Sequence, residues 1–131
     1  MDFVKMIGQT GTQIGMLVAR PEEAAIENTR TQAYQEALRN MLKKGPNMVM
    51  VVIPNNKSDV YAMVKKLTLV EFPVPTQCMT ATVLRKPKGL NSVAQKVAIQ
   101  MAAKLGGEPW AVKMPNVTGL MIFGKHSGHK T

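Results

Sequence analysis

Tyr61 and Lys65 stand four residues apart, and so do Gln100 and Lys104. On a helix that spacing puts both members of a pair on one face. An aromatic face can carry a stacked base, while ammonium and carboxamide donors can hold phosphate oxygens. The same spacing equally describes a half-buried core tyrosine with solvated lysines around it, and spacing alone leaves both readings standing. Other site chemistries are poorly supplied. The stretch Gly8-Gln9-Thr10-Gly11-Thr12-Gln13-Ile14-Gly15 is glycine-rich, but it precedes the first expected strand and lacks the Gly-Lys-Ser/Thr that grips a triphosphate. A turn is expected there. No G-x-G-x-x-G follows a strand, so dinucleotide binding has no fingerprint. His126 and His129 are the only histidines and lie in a polar tail without a carboxylate or cysteine beside them, which argues against a metal site. Cys78 is the single cysteine; no histidine stands near it, and a buried thiol is expected.

Charge narrows the partner. The 131 residues carry 17 Lys and Arg against 8 Asp and Glu, a net +9 that suits a polyanion. The excess is uneven. Residues 1–46 are nearly balanced, whereas residues 47–131 hold only three acids, Asp59, Glu71 and Glu108. Three carboxylates spread along that stretch do not readily supply an acid–base pair, so catalysis is not expected. The length suits one domain with its own core, and one cysteine excludes a disulfide framework. No apolar run approaches the ~18 residues of a membrane span, and the first residues lack a secretory signal's pattern. The expectation is a soluble, intracellular, reduced domain.

The elements that must position these side chains alternate between strand and helix periods. Thr12–Ala19 reads as a strand and Glu27–Lys44 as a helix with Ala33, Ala37, Leu38, Met41 and Leu42 on one stripe. Asn47–Ile53 is a continuous apolar run, the pattern of a strand covered on both faces. Ser58 can cap a helix over Asp59–Leu69. Phe72-Pro73-Val74-Pro75 is a stiff connector, and Gln77–Leu84 reads as a third strand followed by the basic turn Arg85–Gly89. Asn91 or Ser92 caps a helix to Leu105, closed by Gly106-Gly107, with Val93, Val97, Met101 and Leu105 as its core stripe. Lys96, Gln100 and Lys104 form its polar stripe, and Val117–Phe123 is a last strand. This order predicts an α/β fold: a small Rossmann-like domain, a parallel sheet of about four strands flanked by helices. The eleven methionines read as core filler. Topology alone puts Gln77 and Lys104 at one edge of the sheet and Tyr61 nearer the other.

Four stretches together resemble the MID domain of Argonaute proteins: Asn47–Pro54, Val60-Tyr61-x-x-Val64-Lys65, Pro75-Thr76-Gln77-Cys78, and Gln100-Met101-x-x-Lys104-Leu105-Gly106-Gly107-Glu108-Pro109-Trp110. The resemblance covers nearly the whole chain and divides it into a MID domain, 1–116, and a final strand leading into a PIWI junction, 117–131. It implies a module that anchors the 5′ end of a small guide RNA. Tyr61 would stack under the first base and touch the 5′ phosphate with its hydroxyl, and Lys65, Gln77, Gln100 and Lys104 would hold that phosphate. The microRNA-loading branch carries lysine where Gln100 stands, so glutamine resembles the PIWI branch, which loads piRNAs. The loop Asn55, Asn56, Lys57, Ser58, Asp59, Val60 falls where the family reads the first base, often uridine in this branch. Members of the branch place a magnesium ion at the phosphate; no cofactor is expected to be required here, and no protein side chain is assigned to a metal.

The resemblance further implies the piRNA 5′ end and the parent's PIWI and PAZ domains as partners, no membrane, and residence in the cytoplasm or perinuclear germ granules. One stretch departs from the pattern. After Met121-Ile122-Phe123-Gly124 the family usually presents a catalytic aspartate within two residues, and here Lys125-His126-Ser127-Gly128-His129-Lys130 holds no acid. The nuclease core is expected beyond residue 131, so this chain is not expected to cut RNA. Two readings from other classes are a small Rossmann-like enzyme using a free nucleotide and a basic interaction domain indifferent to RNA ends.

Overall fold

The computed structural model describes residues 3–13, 22–26, 30–54, 58–86, 88–115 and 118–125. Five α-helices, one π-helical turn and two strands follow in the order α1 (Phe3–Gln13), α2 (Thr31–Leu42), β1 (Val49–Ile53), α3 (Ser58–Lys66), the π turn (Leu67–Glu71), β2 (Thr76–Thr80), α4 (Ala81–Leu84) and α5 (Leu90–Lys104). The strands pair in parallel, Val49 opposite Thr76 and Met50 opposite Gln77, through Ile53 opposite Thr80. Parallel pairing demands a crossover, which α3 and the π turn supply.

Helices pack on both faces of the sheet, although Val52 of β1 stays exposed. On one face Tyr34, Leu38 and Leu42 of α2 meet Val51 and Ile53 of β1 and Val60, Val64 and Leu67 of the crossover. On the other, Met6 and Ile7 of α1 and Ala94, Val97 and Ala98 of α5 meet Met79 of β2, with Met50 packed beside them. Strand alternation divides the residues between these layers. Cys78 packs toward the α2–α3 face, whereas Met79 joins the α1–α5 face. By the same alternation Thr76 goes with Cys78, and Gln77 with Met79.

The helices end where the chemistry requires. The π turn closes with Phe72 N–H donating to the Leu67 carbonyl at 2.8 Å, and Val74 N–H donates to Thr68 at 3.1 Å. Pro73 and Pro75 bar any further helix. Helix α5 ends with Gly106 at φ 85° and Gly107 N–H donating to the Ala102 carbonyl at 2.8 Å. A side chain at Gly107 would approach that carbonyl oxygen to 3.0 Å. Both glycines are therefore needed to stop the helix one residue after Lys104.

Several expectations are corrected. The sheet has two strands among the described residues, not about four. Thr12 and Gln13 end α1 instead of opening a strand, and Gly8 and Gly11 lie within that helix rather than in a turn; residues 14–20 lie outside the described set. The expected strand Gln77–Leu84 begins one residue earlier and stops at Thr80, where the chain turns into α4. Asn91 and Ser92 lie inside α5, whose N-cap is Gly89 at φ 85°. The buried stripe of α5 is Ala94, Val97, Ala98 and Ala102, while Leu105 is exposed. Residues 118–125 form no strand, and Leu120, Met121, Ile122 and Phe123 are all exposed. No helix among the described residues is long and apolar enough to cross a membrane.

Candidate functional site

The amino end of β2 gathers the cations. Lys65 lies in the last turn of α3 and Lys104 in the last turn of α5. Both helices run back along the sheet to its amino edge, so both lysines arrive at Thr76, the first residue of β2. They reach it from opposite faces. Lys65 Nζ donates to Thr76 Oγ1 at 3.1 Å. Lys104 Nζ donates to the Thr76 carbonyl and to Gln77 Oε1, each at 2.8 Å. With its oxygen taken by Lys104, Gln77 turns its nitrogen outward, and Nε2 donates to Gln100 Oε1 at 3.1 Å. Gln100's oxygen is then engaged, so the group it offers to a ligand is its NH₂ donor.

Tyr61 joins through Lys65. The Lys65 ammonium stands 5.7 Å from the centre of the Tyr61 ring, one helical turn away, and the ring is about half exposed (48%). That distance falls within cation–π range. Because α3 runs back toward the amino edge, one turn separates Tyr61 from Lys65, whose long side chain links the tyrosine to the cluster. All five residues predicted to hold a phosphate (Tyr61, Lys65, Gln77, Gln100 and Lys104) thus belong to one connected group.

Positive charge dominates the cluster. The Lys104 ammonium is held below its ordinary 10.5 by partial burial first and by the charge of Lys65 second. Burial pushes the half-buried Cys78 thiol up, against the opposing pull of Lys65 and Lys104. Helix α5 ends here, its carboxyl end equivalent to roughly −0.5 charge, whereas α3 continues into the π turn. An anion at this edge would gain nothing from that dipole and would be held by the lysines themselves. Open α/β sheets ordinarily bind ligands at the carboxyl ends of their strands. This cluster lies at the amino edge and is built from long cationic side chains in place of a glycine loop.

The predicted first-base loop is only partly described. Asn55, Asn56 and Lys57 lie outside the described residues. Ser58, Asp59 and Val60 form the first turn of α3. Val60 is completely buried, so its side chain cannot touch a base, and the Asp59 carboxylate accepts a 2.6 Å hydrogen bond from Thr31. His126 and His129 also lie outside the described residues. Among those described, no group of three or more His, Cys, Asp or Glu is placed to hold a metal. The cluster offers carboxamide oxygens but no carboxylate, a donor set that does not fit a divalent cation held by protein atoms alone.

Sequence reasoning missed Thr76 and Thr68. Thr68 Oγ1 donates to the Val64 carbonyl at 2.9 Å and lies 3.3 Å from Thr76 Oγ1. The available signal was alternation: a hydroxyl directly before Gln77 must face the other helix layer, where Lys65 stands.

Residues 48–131 match the Piwi domain family. The chain is 39% identical over 94% of its length to protein aubergine of Drosophila melanogaster. It is 36% identical over 92% of its length to protein argonaute-3 of the same organism. Each match covers 14% of the relative, so the chain spans a small part of these proteins. The crystal structure of Drosophila Piwi superposes with a TM-score of 0.80 at 29% identity, over 87% of this chain and 16% of that one. The chain belongs to the Piwi domain family, within the PIWI clade of Argonaute proteins.

Proposed function

We propose that this chain is the MID module that captures the phosphorylated 5′ nucleotide of a guide RNA, a piRNA, for RNA silencing. The observation that carries the reading is the convergence of Lys65 and Lys104 on Thr76 from opposite faces of the sheet. Two cations held that close repel one another until an anion arrives. A terminal phosphate brings about −1.5 to −2 charges, against −1 for a bridging phosphate, so the pair favours a phosphorylated end. Lys65, Lys104 and the NH₂ of Gln100 hold the phosphate oxygens, with Gln77 fixing the last two in place. Tyr61 stacks beneath the first base and directs its hydroxyl to the phosphate. Stacking contributes about 1–3 kcal/mol with little base choice, so a uridine preference comes from the backbone of the Asn55–Val60 stretch.

The module binds the guide and does not itself cut RNA. Its partners are the guide's 5′ end and the parent's PIWI and PAZ domains, and its place is the cytoplasm, including perinuclear germ granules. Magnesium enters this reading as a companion of the RNA phosphate, and no step here depends on it. Titrating uridine monophosphate into isotope-labelled chain tests the proposal by NMR. Shifts confined to Tyr61, Lys65, Gln77, Gln100 and Lys104, absent with uridine, are expected. A triphosphate bound far better than the monophosphate would favour a nucleotide-using enzyme instead.

A further inference from the structure

We infer that Thr76 and Thr68 form a one-way hydroxyl relay that sets the position of the Lys65 ammonium, making both threonines positioning residues for end-phosphate selection. The inference rests on the phosphate reading of Lys65 given above. Each threonine is almost fully buried, at 4% and 1% exposure.

Proton accounting gives the relay its direction. A hydroxyl has one hydrogen to donate. That of Thr68 goes to the Val64 carbonyl at 2.9 Å, an acceptor one turn back on the same helix. Thr68 can therefore only accept across the 3.3 Å separation from Thr76, so Thr76 is the donor. Its own hydrogen spent, Thr76 Oγ1 faces Lys65 Nζ at 3.1 Å purely as an acceptor. The chain runs from the Lys65 ammonium to Thr76, to Thr68, to the Val64 carbonyl, with every donor pointing the same way. Hydrogen bonds aligned in this manner polarise one another.

The consequence is geometric. A lysine side chain carries up to about 2 kcal/mol of rotamer freedom, which a ligand would otherwise have to remove. Thr76 removes part of it beforehand, and it fixes Lys104 as well through its carbonyl at 2.8 Å. One residue thereby sets the spacing between the two cations.

The test measures binding of two RNA oligonucleotides, identical except for a 5′ phosphate or 5′ hydroxyl, to the 131-residue chain and its variants. Valine matches threonine in shape and removes only the hydroxyl. Thr76→Val should lower the phosphate-to-hydroxyl affinity ratio roughly tenfold, and Thr68→Val about threefold. Thr76→Ser and Thr68→Ser should restore it, which a purely structural role of the methyl group would not do. Thr68→Val leaves β2 untouched and carries the test should Thr76→Val fail to fold. An unchanged ratio in Thr68→Val, or no rescue by serine, overturns the relay while leaving the phosphate reading intact. A ratio of one in the unmutated chain overturns the phosphate reading itself.

Discussion

Replacing Lys104 by methionine keeps the aliphatic stem and removes the ammonium. In the structure that ammonium donates to Gln77 Oε1 and to the Thr76 carbonyl, each at 2.8 Å, leaving one of its three hydrogens for a ligand. One charge-assisted hydrogen bond contributes about 1.5–3 kcal/mol, or roughly 10- to 150-fold in affinity. Lys104 is only partly buried, so solvent screening places the expected loss near the lower end, at about tenfold. The loss should fall on the phosphorylated RNA. Its 5′-hydroxyl twin, which presents no dianion, should change by no more than about threefold, the scale of an exposed ion contact. Fluorescence anisotropy with both oligonucleotides reads the two constants directly. Stability should fall as well, since Gln77 is buried and its oxygen loses a donor, a cost of about 1–3 kcal/mol. Binding is therefore measured well below the melting temperature of the variant. Lys104→Arg, which keeps the charge, should retain most of the preference. Equal losses on both oligonucleotides, or none on either, would refute the reasoning.

Other substitutions separate the remaining contributions. Tyr61→Ala should weaken both RNAs by about 1–3 kcal/mol through lost stacking, whereas Tyr61→Phe should weaken only the phosphorylated one. Phosphate preference should decline below about pH 6 as the terminal phosphate takes up its second proton. It should also decline on the alkaline side before the ordinary lysine value of 10.5 is reached, because Lys104 loses its proton early. The sign for stability is the reverse. A lysine whose value is lowered on folding destabilises the native state at neutral pH, and stability rises as pH climbs from that lowered value toward 10.5; chemical denaturation across that range reads the slope. Leu67→Ala removes the largest fully buried side chain, from the core under the π turn, and should cost about 2–5 kcal/mol in a denaturant melt.

Much of the fold was legible because the relevant segments are buried on a regular period. The run Asn47–Ile53 announced a strand, and β1 is one, burying Val51 and Ile53 on one face while Met50 is half-buried and Val52 exposed on the other. The stripe through Leu38 and Leu42 announced α2. Where reading failed, tertiary packing outweighed local preference. Thr82 and Val83 favour strands by type, yet β2 pairs with only five residues of β1 and the chain turns helical immediately afterwards. Gly8 and Gly11 signal a turn in isolation but lie on α1, which α5 packs against through alanines. Those alanines, Ala94 and Ala98, were undervalued beside Val93 and Met101 because a small side chain buries little area of its own. What it does is let the two helices sit close together.

The site divides in the same manner. The pairs Tyr61–Lys65 and Gln100–Lys104 were visible from helical spacing. Their convergence was not, since it depends on both helices ending at one edge of the sheet and on Thr76 standing between them. Strand alternation at Thr76 and Gln77 is the physical link: adjacent residues facing opposite layers bring one lysine from each layer to the same point. Thr68 left no trace in the sequence, because the π turn that carries it has no periodic signature of its own.

The account stands most directly on a calorimetric comparison of the unmutated chain with two guide-length RNAs that differ only at the 5′ terminus. Two converging lysines and a stacked tyrosine predict that the phosphorylated RNA binds at least about tenfold tighter than its hydroxyl twin. Indistinguishable affinities would contradict it, leaving a basic surface that binds RNA without regard to how the strand begins.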